Sequence, residues 1–163
     1  MRYLMRQKLL AWGNDFTIRD EAGNDAYVVD GKAISVGNQA SLQDMSGNEL
    51  AFIRQKFLSL VPTYELYCGG ALVAVVKREL FKFFHHTFTV DVPGPDDLTV
   101  EGDLMDHEYT VTRGGQPVAH VSKQWFTLAD TYGVEIGERE DPVLILATAV
   151  VVDLVCHDHR KRR

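Results

Sequence analysis

Five carboxylates fall between residues 130 and 141: Asp130, Glu135, Glu138, Glu140 and Asp141. Clustered oxygen donors of this kind are what a hard divalent cation requires, since calcium takes six to eight of them. The spacing is not that of an EF-hand-type loop, with its alternating acids around a central glycine. The same acids lead into Pro142, where negative charge is favoured by a helix dipole without any ligand. They are therefore expected to be a solvated approach to a helix, and neither metal nor cofactor is expected.

Basic chemistry is concentrated in two places. Lys77, Arg78 and Lys82 are interleaved with Phe81, Phe83 and Phe84, and the chain ends in Arg160, Lys161, Arg162 and Arg163. Arg54 and Lys56 form a smaller cluster. The first group suits either a membrane surface or a strand with an aromatic inner face and a charged outer one. The terminal run suits an anionic partner or a solvated tail. His85 and His86 are adjacent, so on a strand they face opposite sides and cannot readily share a metal. His157 and His159 flank Asp158 near the end of the chain.

No arrangement of nucleophile and base emerges. There is no Gly-x-Ser-x-Gly elbow, no His-Glu-x-x-His pair and no phosphate-cradling glycine loop. Cys68 sits beside a Gly-Gly turn with no cationic motif to lower its pKa. Cys68 and Cys156 alone make neither a disulfide framework nor a metal spacing, as in a cytoplasmic protein with reduced thiols. The residues point away from catalysis.

The element that must organise these groups is Asp141–Cys156. Between Val143 and Val152 only Thr148 is polar, so a helix there has no face to offer water. Pro142–Cys156 as a helix is about 22 Å long, short of a bilayer span. Asp141 and Pro142 make a good N-cap and first turn. Thr148 can satisfy its hydroxyl on the carbonyl of Leu144. The core of this helix is read as Pro142, Val143, Leu144, Ile145, Leu146, Ala149, Val150, Val151 and Val152. It is expected to thread a β-barrel made by the rest of the chain, with Asp153 emerging at the far mouth.

That barrel is announced by turns. Asp20–Asn24 and Asp44–Asn48 share the pattern Asp-x-x-Gly-Asn, and Cys68–Gly70 and Arg113–Gly115 each end in Gly-Gly. These are hairpin signals between β-rich segments such as Tyr3–Leu10, Phe16–Asp20 and Ala26–Val29. A looser echo pairs Phe57 with Tyr64, Phe81 with Phe88 and Trp125 with Tyr132, each seven apart. Each copy reads as strand, bend, strand with inward aromatics. Pro93–Asp96 joins two halves of one barrel. About a dozen short strands result. One domain over 1–156 is expected, followed by a basic tail over 157–163.

Four segments carry a family resemblance: YLMRQKLL at Tyr3–Leu10, GNELAFIRQK at Gly47–Lys56, VSKQWFTLADTYGVEI at Val121–Ile136 and EDPVLILATAVVVD at Glu140–Asp153. Together they resemble the LURP-one-related family, which is similar in fold to the Tubby C-terminal domain and to phospholipid scramblases. The resemblance implies a mainly β, Tubby-like closed antiparallel barrel of twelve strands around a hydrophobic C-terminal helix. Tubby domains bind phosphoinositide head groups through surface Lys and Arg; no single matching motif occurs here, and the candidates for a lipid role are the clusters Arg54 and Lys56, Lys77 with Arg78 and Lys82, and Arg160, Lys161, Arg162 and Arg163. Scramblases carry their proposed calcium segment just before the terminal helix, where Asp130–Asp141 lies.

The net charge of −6 argues against a nucleic-acid binder, which would show a basic excess. The N-terminus has no apolar run resembling a signal peptide. The expected protein is a cytoplasmic monomer with no transmembrane span, peripheral to a membrane at most. Its expected role is that of a non-enzymatic binding or scaffold module for an anionic phospholipid or a protein partner. The alternatives are a small-ligand protein or enzyme with a site at a barrel mouth near Asp130–Glu140, and a scramblase-like lipid role.

Overall fold

The computed structural model describes residues 1–6, 15–33, 38–79, 86–125 and 131–161. Among them are twelve strands and one helix. The strands are β1 (Arg2–Arg6), β2 (Phe16–Asp20), β3 (Asp25–Ala33), β4 (Asn38–Asp44), β5 (Glu49–Gln55) and β6 (Thr63–Cys68), then β7 (Ala71–Arg78), β8 (His86–Asp91), β9 (Leu98–Asp103), β10 (Glu108–Arg113), β11 (Gln116–Ser122) and β12 (Thr131–Ile136). The helix, α1, is Pro142–Lys161. Each strand pairs antiparallel with its neighbours in sequence, and β1 pairs with β12 to close the barrel. The fold is the Tubby-like barrel.

Antiparallel neighbours place alternate connections at opposite ends. One end carries the short hairpin turns together with the six-residue connection 92–97. At Asp20, one carboxylate oxygen accepts the N–H groups of Ala22 and Asn24 at 3.0 and 2.9 Å, and the turn at Asp44 repeats this with Ser46 and Asn48, both at 2.9 Å. Gly47 supplies the left-handed residue that the second turn needs, at φ 85°. The opposite end carries the longer connections 7–15, 56–62, 79–85 and 123–130. The helix starts after β12 at the hairpin end and so runs toward the long-loop end.

Strand alternation lines the lumen. On β5, Ala51 and Ile53 are buried; on β7, Ala74 and Val76. Small inward residues sit opposite large ones across the ladder: Ala40 opposite Ile53, Ala51 opposite Leu42, Ala74 opposite Leu66, Ala119 opposite Ile136. This alternation makes room for a helix without leaving voids. Ile145–Val152 is buried on every side, and Thr148 donates its hydroxyl to the Leu144 carbonyl at 2.9 Å. Asp141 caps the helix by accepting the Val143 N–H at 2.9 Å.

Two details differ from expectation. The helix continues through 157–161, five residues past Cys156, because nothing in His157–Lys161 breaks a helix already nucleated inside the barrel. Of the expected first strand Tyr3–Leu10, residues 3–6 lie in β1 and residues 7–10 lie outside the described ones. The aromatic echo is only half inward: Tyr64, Phe88 and Tyr132 are buried, but Phe57 is 49% exposed and Trp125 is half-buried. The buried members lie on β6, β8 and β12, whereas Phe57 and Trp125 fall in connections, where period-two alternation no longer dictates direction. Phe81 lies outside the described residues.

Substituting Ala149→Asp places an unpaired charge among these side chains. The expected cost is several kcal/mol against a domain stability of about 5–15 kcal/mol, so the cooperative thermal transition should disappear. A soluble variant melting near the parent by circular dichroism would contradict the packing of the helix.

Candidate functional site

The helix leaves its apolar stretch at Asp153, and the barrel wall meets it there. Both carboxylate oxygens are engaged: Oδ1 with His107 Nε2 at 2.8 Å, Oδ2 by a very short hydrogen bond from the Tyr132 hydroxyl. His107 and Asp153 are 8% and 16% exposed, so this pair is largely shielded from water. The His107 ring also stacks on Tyr132, with centroids 4.3 Å apart. Burial, then the Asp153 charge, push the Tyr132 and Tyr109 phenols well above their ordinary pKa, keeping both protonated.

His107 reaches this position through the β9–β10 connection, where it adopts φ 54°. The hairpin is tight because Gly102 faces Tyr109: a Cβ on Gly102 would meet the Glu108 carbonyl at 2.5 Å. An aspartate, a histidine and a tyrosine are acid–base groups by type. Here they tie β12, the β9–β10 connection and the helix together, and each carboxylate oxygen already accepts a hydrogen bond. The arrangement is an anchor. The end of the apolar run marks Asp153 as the mouth residue, but nothing local marks its partners, which lie 46 and 21 residues away in sequence.

The acidic stretch is dispersed among separate tasks. Glu135 projects outward from β12 and is held by Arg2, whose Nη2 is 2.6 Å away; that hydrogen bond lowers the Glu135 carboxyl below its ordinary range. Glu140 clamps Arg113 at 2.9 Å. Asp141 caps the helix, Glu138 is exposed, and Asp130 lies outside the described residues. Among the described residues, no group of three or more His, Cys, Asp or Glu side chains is arranged to hold a metal ion.

On the outer face, a polar row crosses four strands. Register places Arg2 opposite Glu135, Glu135 opposite His120 and His120 opposite Thr110. Thr110 and His120 are hydrogen-bonded at 3.0 Å, and the Arg2 guanidinium lies 5.0 Å from the Trp125 ring centroid. A groove of about 670 Å³ runs beside this row, lined in part by Arg2, Thr110, His120, Glu135 and Glu138. It is the nearest feature to the barrel-mouth site considered from the sequence.

Among the basic candidates, Lys77 is exposed on the outer face of β7, and Arg78 is half-buried at the same strand end. The backbone N–H of Arg78 donates to the Pro62 carbonyl at 3.1 Å. Arg160 and Lys161 occupy the last turn of α1; Lys82, Arg162 and Arg163 lie outside the described residues. Arg54 is engaged on the wall by Tyr67 at 2.9 Å and Glu65 at 3.5 Å. The topology brings the ends of β5 and β7 and the end of the helix to the long-loop end. Neither cysteine forms a disulfide, and burial followed by the Asp141 charge raises the Cys68 thiol. His85 lies outside the described residues. No helix among the described residues is long and apolar enough to cross a membrane.

Comparison with known proteins covers nearly the whole chain. A family model described as LURP-one-related matches residues 1–153. The uncharacterised protein YxjI of Bacillus subtilis is 31% identical over 154 residues, covering 94% of this chain and 93% of that protein. The X-ray structure of a protein from Arabidopsis thaliana superposes with a TM-score of 0.69 at 18% identity, covering 94% of this chain and 91% of the other. At that identity the likeness is one of fold.

Two outcomes follow from the geometry. Asp153→Ala leaves His107 and Tyr132 without their shared acceptor and should lower stability by about 2–4 kcal/mol in urea unfolding, whereas Arg2→Ala, removing an exposed pair, should cost at most about 1 kcal/mol. Equal effects would remove the anchor role. Excess calcium should leave the melting temperature where chelator leaves it, because Glu135, Glu140 and Asp141 are already committed. A true site at a hundredfold excess over Kd would add about 2.7 kcal/mol and shift the melt clearly.

Proposed function

The chain belongs to the LURP-one-related family, and we propose that it is a non-enzymatic binding module that associates peripherally with anionic membrane surfaces. One observation supports this reading: the helix fills the lumen, which leaves the outside for recognition, and it runs toward the barrel end at which β7 finishes in Lys77 and Arg78. A filled barrel leaves no ligand cavity of the lipocalin kind. The net charge of −6 does not oppose local binding, because charges are screened beyond about 8 Å at physiological salt. The scramblase-like alternative is disfavoured, since the apolar segment is enclosed by strands and not presented to lipid.

A second reading has its own observation. The outer groove beside Arg2, His120 and Glu135 presents cationic, imidazole and carboxylate groups to one volume, as a small polar ligand would require. It would move ahead if vesicle binding failed.

Co-sedimentation with vesicles of phosphatidylcholine, with and without phosphatidylserine or a phosphoinositide, tests the leading reading. Binding should need anionic lipid and weaken with salt. With each cation near the surface contributing about 1 kcal/mol, replacing Lys77, Arg78, Arg160 and Lys161 by Ala should reduce partitioning many-fold. No binding at low salt would put the outer-groove reading ahead, and binding indifferent to those substitutions would remove these cations from the leading reading.

A further inference from the structure

Apolar side chains that face water singly are ordinary; three in one short run are not. Six large hydrophobic side chains are exposed among the described residues, and Phe57, Leu58 and Leu60 account for half of them within four positions. Leu58 and Leu60 are 106% and 98% exposed, as free of neighbours as in an open peptide. All three belong to the β5–β6 connection, which spans 56–62 at the long-loop end.

This connection is built to hold them outward. The Lys56 N–H donates to the Thr63 carbonyl at 2.8 Å, closing the base. The Ser59 hydroxyl donates to the Lys56 carbonyl at 3.1 Å, and the Thr63 hydroxyl to the Val61 carbonyl at 3.0 Å. Arg78 N–H on the Pro62 carbonyl ties the loop to β7. Polar groups of the loop are thus satisfied inward while its leucines face out. Leu58 holds φ 61°, a left-handed conformation unfavourable for a branched side chain. Strain of this kind kept at an exposed tip points to a function for the tip.

We infer that the β5–β6 connection is a membrane-insertion element, with Leu58 and Leu60 entering the acyl boundary of an anionic leaflet and Phe57 lying at its edge. The inference rests on the peripheral-membrane reading and adds to it the element that penetrates. Charge selects the occupant: Lys56 at the loop base and Lys77, opposite Thr63 across the ladder, are both exposed and suit anionic head groups around an inserted apolar tip. A bilayer accepts exposed apolar side chains without the shape complementarity that a protein interface requires.

The test compares the parent with the Leu58→Ser/Leu60→Ser variant on vesicles of phosphatidylcholine with phosphatidylserine. The parent should bind, and the variant should bind at least about tenfold more weakly while melting at the parent temperature, since both leucines are free of packing contacts. In a second variant, Leu60→Trp, vesicle-dependent blue-shifted emission quenched by brominated acyl chains should appear beyond any signal from the parent's tryptophans. If the serine variant binds as tightly as the parent, insertion is overturned and head-group binding through cations stands. If the parent binds no vesicles, both readings fall. If the parent instead forms a concentration-dependent dimer that the serine variant abolishes, the loop is a self-association surface and insertion is overturned.

Discussion

From Ile145 to Val152 every side chain of the terminal helix is buried, so apolar surface leaves it in all directions and one sheet face cannot cover it. Closure of the sheet around the helix is the consequence. The barrel depends on the helix in return, because a lumen lined by Ala40, Ala51, Ala74 and Ala119 would be a cavity without it. Neither component has a stable reason to exist alone. Hairpin chemistry at Asp20 and Asp44 and the β1–β12 pairing serve that mutual enclosure.

Enclosure fixes the helix radially but does little to set its position along the axis, since a uniformly apolar rod can slide in an apolar sleeve. Polar contacts supply the axial coordinate. At the start, Asp141 caps the first turn and Glu140 clamps Arg113 of β10. At the far end, Asp153 takes hydrogen bonds from Tyr132 and His107, which are tied to different parts of the wall. Buried polar groups of this kind add little net stability when satisfied but are costly when mispaired. Any slipped register would leave Asp153 without donors in a low-dielectric surrounding, so the same cost that makes the network expensive makes the native position unique.

The fold was legible because its strongest signals are local. Asp-x-x-Gly-Asn turns, the Asp-Pro cap and an apolar run without a polar face each follow from neighbouring residues, and β2 emerged with its full boundaries. The apolar run and the turn spacing pointed to a barrel of about a dozen strands, and the family resemblance made the number twelve. The site was less legible because its contacts are distant in sequence. His107 carries no local mark that it must meet Asp153 or adopt a left-handed backbone. Phe57 misled for a related reason: seven-residue spacing links it to Tyr64, yet β5 has already ended and its inward alternation with it. The acidic stretch looked like one group, but helix capping and ion pairing had divided it among Arg2, Arg113 and the helix N-terminus.

A sealed barrel is a platform, and its two ends are unequal as platforms. At the hairpin end, tight turns consume their own polar groups: the Asp20 and Asp44 side chains are spent on backbone N–H groups within four residues. At the long-loop end, the connections have enough chain to close on themselves and still present side chains outward, as Lys56 to Thr63 does. The helix direction is set by its entry after β12, and it runs toward that same end. Substitutions in the 56–62 connection can therefore change the surface of this end while leaving the lumen packing intact. Turns at the other end have little such freedom, because a changed residue there costs the strand register it maintains.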